Sequence, residues 1–114
     1  CDASRISQVI RNIYENALAV VPHDSTIYTT CKMIRHGSQP FIQVTFTDDG
    51  PGLDEEQRRR IFEPFFTTKT KGTGLGMAIC NRIVEAHAGK IFVGDAELRH
   101  PKAHGAVIVM ELPV

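Results

Sequence analysis

The sequence predicts an α/β domain, and three observations carry that reading. Two stretches, residues 5–20 and 74–88, repeat apolar side chains at helical spacing. Runs at 26–34, 41–48, 90–94 and 105–112 are rich in β-branched and aromatic residues and read as strands. Two glycine clusters, DDGPG at 48–52 and GTGLG at 72–76, punctuate the chain between them. A length of 114 residues suits one core, so 1–114 is expected to be a single domain.

The first helix carries Ile6, Val9, Ile10, Ile13, Ala17, Val20 and Val21 on the stripe that faces a core. Gln8, Asn12 and Asn16, four residues apart, make a second stripe, and Glu15 lies one helical step from Asn12. The runs 26–34 and 41–48 flank HGSQP, a turn-prone stretch, and are expected to pair antiparallel. In the second of them Ile42, Val44 and Phe46 share one face, and period-2 alternation puts Asp48 on that face too. A carboxylate at the end of an apolar face needs a hydrogen-bonding partner. Asp54 followed by Gln57 predicts a capped short helix ending near Pro64. TTKTKGT, 67–73, is polar and aperiodic and reads as a mobile loop. Leu75, Ile79, Ile83 and Ala86 then mark an amphipathic helix that Gly89 stops. The polar insert DAELRHPKAH divides the last two strands.

Composition narrows the function classes. Hydrophobic residues make up 42% and charged residues 23%, as in ordinary soluble globular domains. Thirteen basic residues balance thirteen acidic ones, so no charge footprint points to nucleic acid or to direct contact with an anionic membrane. Three cysteines, Cys1, Cys31 and Cys80, have neither disulfide nor zinc spacing, which fits a reduced, cytoplasmic setting. No apolar run approaches a membrane span, and no signal peptide is visible. A helical pattern beginning almost at residue 1, a cysteine, suggests a piece of a longer protein whose other parts could be membrane-anchored.

Several residues suggest chemistry. Asn12 and Asn16 project side by side, and an amide oxygen is a hard, neutral ligand that suits Mg²⁺ alongside phosphate oxygens. An isolated N-x-x-x-N would be a solvated stripe; here it has company. Asp48, Gly50 and Gly52 form D-x-G-x-G, in which the carboxylate can accept from the exocyclic amine of adenine and reject guanine. By itself such a string is a tight turn. Gly72, Gly74 and Gly76 precede and open a helix, where backbone amides favour phosphate, although the spacing is neither the P-loop nor G-x-G-x-x-G. Lys69, ahead of Lys71, is placed to neutralise a triphosphate. Phe62, Phe65 and Phe66 divide between core and a docking patch. The five histidines form no ligand cluster and are read as non-catalytic.

Together these stretches resemble the ATP-binding catalytic domain of bacterial sensor histidine kinases, in the GHKL superfamily. QVIRNIYENA (8–17) is similar to the N box, DDGPG and GTGLGMAI to the two glycine boxes, FEPFFTTK (62–69) to the F box, and ELP (111–113) to the usual ending. FEPFFTTK with its short loop most resembles the nitrogen-regulator class. The resemblance implies a two-layer α/β sandwich: a mixed, mostly antiparallel sheet with three helices on one face and ATP held between. It implies that Asn16 binds Mg²⁺, with Asn12 beside it near the phosphates. Asp48 would bind adenine, in a pocket shaped by Gly50 and Gly52. Lys69 would belong to the ATP lid, and Gly72, Thr73, Gly74, Leu75 and Gly76 would border the phosphates. The F-box phenylalanines would meet the partner helical domain.

Three departures stand out. Ala19 replaces a basic residue common in relatives, Ala106 follows Gly105 where threonine is common, and the usual first strand is absent. The implied function is donation of the γ-phosphate of Mg·ATP to a histidine on a separate dimerisation domain, with a response-regulator receiver as the next acceptor. Having no phosphoacceptor box, the isolated chain is expected to be a monomer that binds ATP without autophosphorylating. ATP-hydrolysing relatives such as gyrase carry glutamate at the position of Asn12, and an amide cannot act as that base. A serine kinase of the anti-sigma-factor type, or a degenerate docking domain, remains an alternative.

Overall fold

The computed structural model describes residues 3–18, 26–50, 52–64, 76–95, 98 and 105–114, without the side chains of 16–18. Helix α1 (Ala3–Leu18) is followed by β1 (Ile27–His36) and β2 (Gln39–Asp48). Helices α2 (Glu55–Arg60) and α3 (Gly76–Ala86) precede β3 (Lys90–Val93) and β4 (Val107–Pro113).

The sheet order is β1-β2-β4-β3, and all three described pairings are antiparallel. The β1–β2 hairpin closes tightly, with His36 opposite Gln39 across Gly37 and Ser38. The turn is therefore shorter than the HGSQP stretch suggests, because His36, Gln39 and Pro40 already belong to the strands. The last strand inserts between β2 and β3, pairing Phe46 with Ile108 and Ile91 with Met110.

Alternation along the strands supplies the core. Phe46, Ile91, Ile108, Met110 and Leu112 are buried with Val9 and Ile13 of α1 and with Met77, Cys80, Ile83 and Val84 of α3. Ile42 and Val44 pack partly buried against them, as the β2 alternation requires. Helix α2 buries nothing itself, but the neighbouring Leu53, Ile61 and Phe62 join the same core. Three helices thus serve one face of the sheet. The Tyr14 hydroxyl, 2.6 Å from Thr29 Oγ1, and the Tyr14 ring edge-on to Phe46 fix α1 across β1 and β2. No helix among the described residues is long and apolar enough to cross a membrane.

Two local expectations need correction. In α3 the buried face is Met77, Ala78, Cys80, Ile83 and Val84, while Ile79 stands 37% exposed and Ala86 is exposed. Packing against Val9 and Ile13, and not the run of larger aliphatics, sets the helix phase. The reversal after α3 falls at Ala88, whose φ is 61°, one residue before Gly89. Gly89 donates its N–H to the Val84 carbonyl at 3.0 Å, and its missing side chain leaves room for the Glu111 carbonyl and for Leu112. The capping pair forms as expected: Gln57 N–H donates to Asp54 Oδ1 at 2.8 Å and Asp54 N–H to Gln57 Oε1 at 2.9 Å. Regular helix stops at Arg60, short of Pro64.

Candidate functional site

The end of β2 carries Asp48 on the apolar face, 6% exposed, where a lone carboxylate would be costly. Its partners come from backbone. Gly50 N–H donates to Asp48 Oδ1 at 2.8 Å and Ala106 N–H to the same oxygen at 3.1 Å. The main chains close around it as well, Asp48 N–H to Ala106 O at 3.2 Å and Gly105 N–H to Asp48 O at 2.7 Å. Both side-chain bonds fall on Oδ1, and among the described residues no donor meets Oδ2. The carboxylate is therefore held rigid with one acceptor oxygen to offer. Oδ2 of the adjacent Asp49 accepts from Thr26 N–H at 3.2 Å, tying the start of β1 to the same turn.

Glycines make this turn possible. Gly52 has φ of 79°, the left-handed region that side chains avoid, and a Cβ there would lie 3.9 Å from the Gly105 carbonyl carbon. A Cβ on Gly105 would overlap Asp48 Oδ1 and approach Gly50 N to 2.7 Å. Asp48, Gly50, Gly52 and Gly105 thus form one cluster. The sequence marks Ala106 after Gly105 only as a departure where relatives commonly carry threonine; the backbone contacts of both residues with Asp48 were not expected.

A second cluster forms where α1 meets the first turn of α3. The half-buried Asn12 donates from Nδ2 to the Gly76 carbonyl at 3.5 Å. One turn further along α3, the Cys80 thiol donates to the Val9 carbonyl at 3.6 Å. Burial pushes the Cys80 thiol up to about 11, against the opposing pull of the Asn12 amide, so it stays protonated at neutral pH. Among the described residues no atom lies within 4 Å of a Cβ built on Gly76, so packing does not demand glycine there.

Asn12 is thereby brought to Gly76, and Asp48 to Gly50 and Gly52. Asn16 lies in α1, its side chain outside the described residues, as are Lys69, Lys71, Gly72, Thr73, Gly74 and Leu75. Phe62 packs on the core, and Phe65 and Phe66 are outside the described residues. Among the described residues no group of acidic, histidine and cysteine side chains forms a metal cage. An amide pair such as Asn12 and Asn16 suits a cation that keeps phosphate and water ligands.

Comparison with known proteins establishes the family of the chain. Sporulation kinase E of Bacillus subtilis (strain 168) is 36% identical over 114 residues, covering 100% of the chain and 14% of that protein. Sensor histidine kinase ZraS of Salmonella typhimurium is 40% identical over 113 residues, covering 99% of the chain and 23% of that protein. The chain thus spans less than a quarter of these relatives. Among solved structures, a mycobacterial sensor histidine kinase, MprB, superposes with a TM-score of 0.83 at 28% identity, over 99% of this chain and 74% of that one. The catalytic domain of histidine kinase ThkA gives 0.80 at 37% identity, over 99% and 68%, and ThkA is also solved with the response regulator protein TrrA. ShkA in complex with AMPPNP gives 0.77 at 31% identity, over 99% and 22%. All of residues 1–114 match the family described as histidine kinase-, DNA gyrase B- and HSP90-like ATPases, and the chain belongs to that family.

Proposed function

We propose that this chain is the catalytic domain of a two-component sensor kinase. It binds Mg·ATP and donates the γ-phosphate to a histidine on a separate helical dimerisation domain, from which a response-regulator receiver takes it. The observation that carries the reading is Asp48: a buried carboxylate with Oδ1 clamped by two backbone amides and Oδ2 without a donor among the described residues. A fixed acceptor of this kind fits the exocyclic amine of adenine and repels the carbonyl of guanine. The nucleotide solved with ShkA and the response regulator solved with ThkA support the same reading.

Phosphoryl transfer asks the protein mainly for positioning and charge neutralisation. Mg·ATP supplies the activated phosphoryl group and a cation that spreads its charge. On this side, Asp48 with Gly50 and Gly52 orients the base, Asn12 and Asn16 offer amide oxygens to the cation, and Lys69 adds positive charge. Gly72, Thr73, Gly74, Leu75 and Gly76 let backbone approach the phosphates. Ala106 meets Asp48 through its backbone amide, so a small side chain there leaves the clamp intact. The setting is cytoplasmic, whatever anchor the parent kinase carries, and the isolated chain is a monomer.

Calorimetric titration with a non-hydrolysable ATP analogue tests this, with and without Mg²⁺, on the wild type and on Asp48→Asn, with GTP as control. Saturable, adenine-selective binding that weakens at least tenfold in Asp48→Asn is expected. A folded wild type that binds neither nucleotide would sink the proposal.

A further inference from the structure

Tyr14 joins the two elements that carry opposite ends of the proposed nucleotide site. Its hydroxyl and that of Thr29 share a hydrogen bond at 2.6 Å, and its ring stands edge-on to Phe46, centroids 5.6 Å apart at 88°. Thr29 and Phe46 lie directly opposite each other in the β1–β2 register, so one side chain meets both strands at a single pair. Two residues further, on the same face, Ile27 lies opposite Asp48. The start of β1 is tied to that turn once more, through Thr26 N–H to Asp49 Oδ2 at 3.2 Å. On α1, Tyr14 is two residues from both Asn12 and Asn16. Residues two apart point about 200° apart around a helix. Tyr14 accordingly meets the sheet while Asn12 meets the Gly76 carbonyl of α3 at 3.5 Å. The apolar burial of Val9 and Ile13 is non-directional, whereas the hydroxyl bond requires one position of α1 along β1.

We propose that Tyr14 is a positioning residue for the nucleotide site: fastened to Thr29, it sets the spacing between the Asp48 carboxylate, which reads the base, and the amides of α1, which meet the cation beside the phosphates. This rests on the proposed Mg·ATP function and deepens it. A ligand that touches both ends binds best when their spacing is already the one it needs. A ligand that touches the base end alone is indifferent to that spacing. In this role Tyr14 acts through α1 and needs no contact with nucleotide or metal.

Two ligands separate this role from plain packing: a non-hydrolysable ATP analogue with Mg²⁺, which spans the site, and adenosine, which reaches only its base end. Both are titrated into wild type, Tyr14→Phe, Thr29→Val and the double variant. Tyr14→Phe keeps the ring against Phe46 and removes the hydroxyl alone; Thr29→Val changes an exposed position of β1. Each single variant is expected to bind the analogue roughly three- to fivefold more weakly, as for one lost hydrogen bond, and adenosine within about 1.5-fold of wild type. The double variant should be no weaker than the singles, because all three lack the same bond. Equal losses for the two ligands, additive losses in the double variant, or no loss at all overturn the proposal. Urea midpoints report any general loosening, which would weaken both ligands alike. If Tyr14→Phe does not fold, Thr29→Val carries the same comparison between ligands. Where adenosine binds too weakly to titrate, the analogue in EDTA replaces it, since without Mg²⁺ the α1 amides lose their bridge to the phosphates. A wild type that binds no nucleotide removes the underlying function as well, whereas wild-type binding without the difference between ligands removes only the role of Tyr14.

Discussion

Gly105 sits against Asp48 with its N–H 2.7 Å from the Asp48 carbonyl oxygen, so close that a Cβ would overlap the Asp48 carboxylate. The atoms it would meet are Asp48 Oδ1, Asp48 O and Gly50 N, none of which can rotate away without opening the turn. Gly105→Ala is therefore expected to cost about 2–4 kcal/mol in urea denaturation, the range for forced overpacking that also breaks buried hydrogen bonds. It should also abolish nucleotide binding at concentrations that saturate the wild type. Wild-type stability in this variant would contradict the close approach.

Gly76 offers the reverse case. A Cβ there meets nothing among the described residues within 4 Å, and the residue lies at the start of α3. Alanine is the better helix former by up to about 1 kcal/mol, so Gly76→Ala should leave the urea midpoint unchanged or raise it. If, as proposed, Gly76 lets backbone approach the phosphates, affinity for the ATP analogue should nevertheless fall about tenfold or more. Unaltered affinity would remove Gly76 from the site.

Period-2 alternation alone puts Asp48 on the face of Phe46, and the structure buries it there. The capping box of α2 is equally legible, since Asp54 and Gln57 act over three residues of local chain. What the sequence hides is set by residues distant along it. The phase of α3 is decided by Val9 and Ile13 across the helix interface, so the apparent stripe through Ile79 points partly to solvent. The glycine at 105 is demanded by Asp48, a neighbour only once β4 has inserted beside β2. The bonds from Cys80 to Val9 and from Asn12 to Gly76 likewise exist only after α1 and α3 pack.

Helix α2 has six residues and buries none of them, so its capping box carries much of its order. Asp54→Ala removes the acceptor for Gln57 N–H and the carboxylate at the positive end of the helix. A loss of about 1 kcal/mol is expected, with faster amide exchange at Gln57 and Arg58. Equal exchange rates in variant and wild type would show that packing of Leu53, Ile61 and Phe62 suffices without the cap.

The carboxylate of Glu111 lies on the sheet face away from the helices, its side chain 4% exposed. Burial would raise its pKa, but Gln43 Nε2 at 2.8 Å, His36 Nε2 at 2.7 Å and the Lys90 ammonium at 3.7 Å reverse this and hold it below the usual carboxylate range. A depressed native pKa means that the unfolded chain binds the proton more readily. The resulting stability is fully present above the unfolded value of about 4.3 and is lost as pH falls through the lower native value. His36 and Lys90 are each more than 40% exposed on their side chains, so screening limits what the charges add, and most of the effect belongs to the buried Gln43 bond. Glu111→Gln should therefore cost about 1–2 kcal/mol at pH 7. It should also flatten the acid limb of the stability profile below about pH 4.3. Urea midpoints measured from pH 7 down to pH 3 check both parts; wild type and variant running parallel throughout would show that Glu111 does not govern the acid limb.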